Sequence, residues 1–185
     1  MTVNDALKSE KYYTYEEWLE IDGSDRTELI NGMIRLMASP TPQHQAISVE
    51  ALRQIANFLL RKPCRAYAAL DVRLHENEDT VFQPDIMVVC DQSKISKKGC
   101  EGAPDFIAEI ISPSTESHDK VTKYKAYRRA GVPEYWIIEP NSKIITAFRL
   151  IDGKYIADVY SESDTAPIQT LQGCEIDLSL LFQDS

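Results

Sequence analysis

The sequence lacks the features of a membrane-spanning or exported protein. Its N-terminus, "MTVNDALKSE", is polar and has no apolar core. No stretch approaches the roughly 18 consecutive apolar residues that a membrane-spanning helix needs. Repeats, linkers and low-complexity tracts are absent from the sequence as well. We therefore expect a cytoplasmic protein that has no membrane partner.

The sequence is also poor in metal-binding patterns built from cysteine and histidine. Its four cysteines (Cys64, Cys90, Cys100 and Cys174) form no C-x-x-C pair, and its three histidines are not spaced as in a zinc finger. We therefore do not expect a structural zinc site. The ordinary interpretation is that all four cysteines are thiols, buried or at the surface, in a reducing compartment.

Positive charge is scarce. The chain has 20 Lys and Arg against 29 Asp and Glu, a net charge of −9. This balance argues against broad attraction to phosphate backbones or anionic lipid, although it leaves room for a local basic groove. The 185 residues, 43% hydrophobic and 26% charged, are typical of one soluble globular domain.

Patterning along the chain predicts an α/β (α+β) protein. Thr14 and Glu17 form a capping box before a short helix that "DGSD" would end, and "RTELINGMIRLM" reads as two strands around an Asn-Gly turn. Apolar residues at helical spacing predict a helix of about four turns in "SPTPQHQAISVEALRQIANFLLRK". Further strands are expected in "CRAYAALDVRL", "TVFQPDIMVVC", "PDFIAEIIS", "PEYWIIEP", "KIITAFRLI" and "KYIADVYS".

The segments between these elements complete the expected fold. "HENED" is predicted as a turn, "DQSKISKKGCEGA" as a loop, and "SPST" as a break before a second helix over about residues 117–130. The result is a single domain over residues 1–185, with its core at about 14–150 and strands continuing to 185. Its mixed central β-sheet is flanked by helices.

Two apolar strands are each interrupted by one acid: Asp85 in "FQPDIMVV" and Glu109 in "FIAEII". A buried, ionised carboxylate costs several kcal/mol unless something offsets it. Because alternate side chains share a strand face, the two acids can converge if their strands pair. Mg²⁺, with Mn²⁺ as an alternative, would then separate them, and this pattern indicates phosphoryl chemistry. Two alternatives stay open: Asp85 caps a local turn, or Glu109 pairs with a core Arg or Lys.

Several motifs resemble a known family. Pro84-Asp85 followed by an acid in a later apolar strand resembles the PD-(D/E)XK nuclease superfamily. The ordered segments "RTELINGMI", "SPTPQH", "QPDIMVV", "FIAEIISPST" and "DKVTKYKAYRRAGVPEYWIIEP" resemble the bacterial Uma-two family of restriction-endonuclease-like proteins, over about residues 14–150. The resemblance implies a restriction endonuclease-like fold, Mg²⁺ held by Asp85 and Glu109, and hydrolysis of DNA phosphodiester bonds.

One position departs from the superfamily pattern. A lysine is expected two residues after the second acid, where it would orient water and stabilise charge at phosphorus, but Ile111 stands there. The family resemblance has a lysine in the following helix, at Lys123, and we assign the role to it. The open alternative is a surface Asp119–Lys123 pair worth about 0.3–0.5 kcal/mol.

Two further candidates come from early elements. Glu28 matches the family segment "ELINGMI" and is favoured as the third acid and metal ligand, whereas Glu50, on the first long helix, is the alternative. His44 matches the "SP…H" segment and could reach a metal, a water or the phosphate. An ordinary hydrogen-bonded histidine is the other interpretation of His44.

The helix after the second acid also carries basic residues. Lys120, Lys125 and Arg128 are predicted to contact the DNA backbone from a solvated side of this helix. The leading hypothesis is thus a Mg²⁺-dependent endonuclease, and cutting of both strands would favour a homodimer. The alternatives are a degenerate nuclease fold that binds DNA or protein, and an acidic-pocket protein without a nucleic-acid partner.

Overall fold

The computed structural model describes residues 11–21, 26–75, 79–112 and 118–183, with the backbone alone described at 118 and 119. The helices are α1 (Tyr15–Leu19), α2 (Pro42–Phe58), α3 (Tyr124–Ala130) and α4 (Leu178–Leu181), and a π-helical segment, His118–Lys123, leads into α3. The strands are β1 (Thr27–Ile30), β2 (Met33–Leu36), β3 (Arg65–Ala68), β4 (Val72–Arg73), β5 (Ile86–Val89), β6 (Ile95–Ser96), β7 (Gly99–Glu101), β8 (Phe106–Ile110), β9 (Glu134–Glu139), β10 (Ile144–Ile151), β11 (Lys154–Ser161), β12 (Thr165–Ile168) and β13 (Cys174–Asp177).

A six-stranded mixed sheet organises the fold. Its strand order is β11-β10-β9-β8-β5-β3. Strands β8 and β9 pair in parallel, and their connection passes through the π-helical segment and α3, while the other neighbours are antiparallel. The predicted mixed sheet flanked by helices is therefore confirmed.

The two faces of this sheet pack against different elements. Apolar side chains of β5, β8 and β9 on one face contact α2, α4 and the β12–β13 pair, with Trp136 and Phe106 among the largest. On the other face, Met87, Ile107 and Ile137 pack with Tyr127 of α3. Because both faces are covered, β5 and β8 are buried along their whole length. This explains their nearly continuous apolar sequences.

The β1–β2 hairpin forms a separate layer beside the sheet. Asn31 and Gly32 occupy its turn with φ of 48° and 74°, as a two-residue Asn-Gly turn requires. Leu29 exchanges backbone hydrogen bonds with Val81 and packs with it and the tyrosines of the α1 region. The predicted capping box of α1 is confirmed, since Thr14 and Glu17 bond reciprocally. The hairpin is thereby held close to the start of β5.

Some local predictions were wrong. The single strand expected in "CRAYAALDVRL" is split into β3 and β4, with Ala69 at a φ of 48° between them. The segment "DQSKISKKGCEGA", expected to be a loop, contributes β6 and β7, which form a small sheet with β4. The C-terminal part ends in helix α4 rather than in strands continuing to 185.

Other predictions fall where the structure is not described. The stop "DGSD", most of the turn "HENED" and the break "SPST" lie largely outside the described residues. Within the described ranges, no helix is long and apolar enough to cross a membrane.

The expectation of four thiols is wrong for one pair of cysteines. Cys64 and Cys90 form a disulfide, whereas Cys100 and Cys174 are free and buried. Cys64 precedes β3 and Cys90 follows β5, and the register pairs Arg65 with Val89, so the cysteines face each other one step further along. Their separation of 26 residues carries no motif, so strand pairing alone brings them together.

Candidate active site

Strand pairing places the two predicted acids opposite each other. In the antiparallel β5–β8 pair, Ile86 lies opposite Ala108. The same register, extended by one residue, sets Asp85 opposite Glu109, and directly opposed side chains lie on the same face of a sheet. This is the face covered by α3. The two carboxylates are therefore neighbours because of the sheet, although 24 positions separate them along the chain.

Lys123 brings a positive charge into the same place. Its Nζ lies 2.9 Å from Glu109 Oε1 and 2.9 Å from Glu28 Oε1, and its side chain is only 4% exposed. Lys123 is the last residue of the π-helical segment, a wider turn that is frequent at functional sites. Such burial rules out the alternative of a surface pair with Asp119. The sequence left two interpretations of Glu109 open, a metal ligand or the partner of a core Arg or Lys. In this structure, Glu109 is paired with the buried Lys123.

Tyr127 is a site residue that sequence reasoning missed. It lies four residues after Lys123 on the same helix face, and its hydroxyl donates a hydrogen bond of 2.7 Å to Glu109 Oε1. Burial, reinforced by the negative charge of Glu109, raises the pKa of Tyr127 well above its ordinary value, so the hydroxyl remains a donor. The available signal was the i, i+4 spacing from Lys123.

Glu28, rather than Glu50, joins this group. Glu28 is buried, and its Oε1 accepts a hydrogen bond of 3.1 Å from the backbone N–H of Gln83, just before Asp85. Glu50 instead accepts hydrogen bonds from Arg53 and Gln54 on the polar side of α2. The β1–β2 hairpin thus supplies the third carboxylate of the cluster.

His44 and Asp85 form the more accessible part of the site. His44 lies in the first turn of α2, which follows the N-cap Thr41, and its Nε2 lies 3.1 Å from Asp85 Oδ2. The same Asp85 oxygen accepts a hydrogen bond of 2.8 Å from the backbone N–H of Ile110 on β8. Asp85 therefore bonds across the sheet rather than capping a local turn. The other ring nitrogen of His44, Nδ1, is buried without a hydrogen-bond partner among the described residues.

The oxygen donors of this cluster suit a magnesium ion held by two carboxylates. Mg²⁺ typically uses one or two carboxylates and keeps several waters, and the facing pair Asp85 and Glu109 meets that requirement. Among the described residues, no three Asp, Glu, His or Cys side chains form a ready metal-binding group. The charges of Glu28 and Glu109 are offset here by the Lys123 ammonium, which lies 2.9 Å from an oxygen of each.

The three basic residues predicted to bind DNA do not form one surface. Lys120 pairs with Glu139 at 2.5 Å and, with Tyr124, lines a cavity of about 370 Å³ above β9 and β10. Lys125 and Arg128 are exposed on α3, away from the buried Tyr127. The described contacts therefore place none of the three against the carboxylate cluster.

Together, these features define the class of protein. A mixed sheet with acids on adjacent central strands and a lysine from the following helix is a restriction endonuclease-like fold. Its architecture matches the crystal structure of a "putative nuclease belonging to DUF820" from Anabaena variabilis, with a TM-score of 0.76 and 22% identity over 92% of this chain and 97% of that one.

The family follows from the sequence comparisons. The family model of Uma2, described as "Putative restriction endonuclease", matches residues 10–179, and the chain belongs to this family. An uncharacterized protein of Synechocystis sp. is 24% identical over 168 residues, covering 89% of this chain and 86% of the relative. A second one from the same organism is 27% identical over 140 residues, covering 72% and 78%. The resemblance inferred from the sequence motifs is thus confirmed.

Proposed function

We propose that this protein is a metal-dependent endonuclease that hydrolyses phosphodiester bonds in DNA. One observation carries the proposal: Glu28 of β1, Asp85 directly before β5, Glu109 of β8 and Lys123 of the π-helical segment gather at one end of the central sheet. Burying such a group costs free energy, because charges leave water. Nuclease chemistry accounts for that cost, and the description of the Uma2 family as "Putative restriction endonuclease" supports the same reaction class.

Each side chain has a distinct role in the proposed reaction. Lys123 orients the attacking water and stabilises negative charge that develops at phosphorus. Tyr127 fixes the Glu109 carboxylate by its hydrogen bond, and Glu28 holds the other side of the Lys123 ammonium. His44 keeps Asp85 in position and can contact a water or the phosphate. In the hydrolysis, water oxygen bonds to phosphorus and the bond to the leaving sugar oxygen breaks.

The proposed cofactor is Mg²⁺, with Mn²⁺ as a substitute. Asp85 and Glu109 would hold it, and Glu28 is a further oxygen donor close by. When bound, the ion would neutralise phosphate charge and lower the pKa of a water. A DNA substrate, a homodimer for cutting both strands and a cytoplasmic location remain parts of the proposal.

Cleavage of supercoiled plasmid tests this function. We expect the wild-type protein to nick the plasmid with Mg²⁺ or Mn²⁺ but not with EDTA. Asp85→Asn and Lys123→Gln should each lower the rate by at least about 100-fold, because each removes charge that acts in the transition state. Equal nicking by all three proteins, or nicking that persists in EDTA, would show that this site does not perform the reaction.

Two controls make the experiment specific. Glu50→Gln changes a carboxylate outside the cluster, so its cleavage rate should match that of the wild type. Because Lys123→Gln leaves Glu28 and Glu109 without their cation, its unfolding curve must be recorded at the assay temperature. The double variant Glu28→Gln with Lys123→Gln neutralises one of the two buried carboxylates that the loss of Lys123 leaves without a cation, and it is the second variant to assay if the single variant is unstable.

A second candidate function is a nuclease fold that binds DNA without cutting it. The contact of Lys123 with both Glu28 and Glu109 favours this alternative, since the ammonium already neutralises charge that a metal would neutralise. The two functions can be separated by measuring the affinity of the same protein for Mg²⁺ and Mn²⁺ by calorimetry. DNA binding with no metal affinity at neutral pH would support the non-cutting function.

A further inference from the structure

The hairpin that brings Glu28 to the site carries two arginines on the same face. Arg35 of β2 is the cross-strand partner of Glu28. Arg26 precedes Glu28 by two positions, and the backbone N–H of Met37 donates to its carbonyl, which continues the β1–β2 pairing by one step. Opposed residues share a face, and so do residues two apart in a strand. Arg26 and Arg35 are thus diagonal neighbours beside Glu28, at a Cα separation of about 7–8 Å.

The two guanidinium groups are differently held. Arg26 is exposed and donates through Nε to Gln83 Oε1 at 2.8 Å, while the backbone N–H of Gln83 bonds to Glu28. Arg26 is therefore tethered next to the site, and its two terminal nitrogens take no part in that bond. Arg35 is partly exposed, and no hydrogen bond or ion pair within the described residues engages its guanidinium.

The charges of the site explain why such cations are needed. The site holds three carboxylates and one ammonium, and the buried Lys123 ammonium contacts two of these carboxylates, Glu28 and Glu109. Asp71 is a further acid beside the site, and its carboxyl group accepts a hydrogen bond from the side chain of Gln83. Burial raises the pKa of Asp71. Since the chain carries a net charge of −9, a DNA strand would be repelled here without local positive charge. The exposed cations of α3 are Lys125, Arg128 and Arg129, and they lie on its solvent side.

We propose that Arg26 and Arg35 bind backbone phosphates of DNA and hold the strand against the carboxylate cluster. This inference rests on the proposed function and names the surface through which the substrate enters. The guanidinium fork matches two phosphate oxygens, so an arginine not already paired is the side chain best suited to this contact. The contact reads no base, so affinity should depend on salt and not on sequence.

Fluorescence anisotropy with a labelled duplex and its single strand tests the pair. Titrations are made in EDTA and in Ca²⁺, which accepts oxygen ligands in a looser shell than Mg²⁺, and a gel checks that the DNA stays intact. We expect Arg26→Gln and Arg35→Gln each to weaken binding about tenfold, because each removes a charge-assisted hydrogen bond. The slope of log K against log salt should fall by about 0.9 for each arginine lost.

Matched variants decide where the DNA lies. Arg61→Gln changes an exposed arginine beyond the C-terminal end of α2, whose 17 residues span about 25 Å from the His44 end, and should bind like the wild type. Arg35→Lys should retain the salt slope, since it keeps the charge. If the double Arg26/Arg35 variant binds normally while Lys125→Gln with Arg128→Gln weakens binding, this inference is overturned and the proposed function stands. If the wild type binds neither form of DNA, the proposed function fails and this pair fails with it.

Discussion

At the scale of single residues, the site depends on charges that offset one another out of water. Lys123 bridges Glu28 and Glu109, and removal of one member of a buried ion pair typically costs about 3–5 kcal/mol. The lysine therefore has a structural effect as well as its proposed chemical one. Ile111 stands where the superfamily pattern expects a lysine, and the Nζ of Lys123 contacts Glu109 from the following π-helical segment, which is compatible with the proposed role of Lys123.

Tyr127 permits a test that separates positioning from stability. In Tyr127→Phe, the Glu109 carboxylate loses the hydrogen bond that it accepts from the Tyr127 hydroxyl, and a hydrogen bond to a charged group is worth about 1.5–3 kcal/mol. If Glu109 binds the metal, we expect metal affinity and cleavage rate to fall by about 10- to 100-fold, as for other residues that orient a ligand. Calorimetry and the plasmid assay measure these quantities.

Tyr155→Phe is the matched control for this prediction. The hydroxyl of Tyr155 donates a hydrogen bond of 2.9 Å to the backbone carbonyl of Val132 within the same aromatic cluster, away from the carboxylates. The variant should lose about 1 kcal/mol of unfolding free energy and keep full cleavage. Equal loss of cleavage in both variants would mean that Tyr127 acts only through packing.

At the scale of elements, a second buried carboxylate joins distant segments. Glu134, at the start of β9, accepts hydrogen bonds from the Trp136 indole at 2.8 Å and from the backbone N–H of Thr170 at 2.8 Å. It thereby ties the central sheet to the segment between β12 and β13. Burial raises the pKa of Glu134 above its ordinary value, although the hydrogen-bond donors oppose this effect.

This raised pKa predicts a pH dependence of stability. The folded state binds the Glu134 proton more tightly than the unfolded state. The contribution of Glu134 to the free energy of unfolding is therefore fully present below its pKa in the unfolded chain, and it is lost as pH rises through its pKa in the folded protein. We expect the unfolding free energy of the wild type, relative to Glu134→Gln, to fall as pH increases above 4.5, the ordinary pKa of a glutamate carboxyl group. Urea unfolding across this range measures the difference, and an unchanged or rising difference would contradict the assignment.

At the scale of the whole molecule, acidity and cross-linking are the main properties. The net charge of −9 requires any DNA contact to be local, as the Arg26 and Arg35 surface would be. The Cys64–Cys90 disulfide joins β3, at the edge of the central sheet, to β5. The expected one-domain organisation and the homodimer remain predictions.

The disulfide gives a prediction at this scale. Closing a loop of 26 residues should stabilise the fold by about 3 kcal/mol, chiefly by restricting the unfolded chain. Cys64→Ser with Cys90→Ser should therefore unfold at lower urea concentration than the oxidised wild type. Alkylation of the denatured protein should modify two thiols without reductant and four with it. Four thiols without reductant would contradict the pairing.

Folded-state labelling provides the control for this experiment. Cys100 and Cys174 are buried, and burial raises the pKa of each thiol to about 11. Neither should react with iodoacetamide in the folded protein at neutral pH, because the thiolate is the reactive form. Rapid modification of Cys100 or Cys174 would indicate that the native core opens under the conditions of the assay.

The sequence by itself determined the local elements and the residue types of the site. Period-3.6 and period-2 patterns predicted α2 and the central strands, and the Asn-Gly pair predicted the hairpin, because these features depend on neighbours along the chain. Single acids in apolar strands, together with the family resemblance, selected Asp85 and Glu109. Local patterning could not reveal the split at Ala69 or the strands β6 and β7, which depend on pairing partners far away in sequence.

Only the tertiary structure decided which side chains meet. Strand register set Asp85 opposite Glu109, the hairpin supplied Glu28 in place of Glu50, and the π-helical segment turned Lys123 inward. The tertiary structure was also needed to find the contact of Tyr127 with Glu109, the Cys64–Cys90 disulfide and the pair Arg26 and Arg35. The physical reason is that a contact between residues distant in sequence depends on how sheets and helices pack, whereas composition and periodicity report only the nearest turns of the chain.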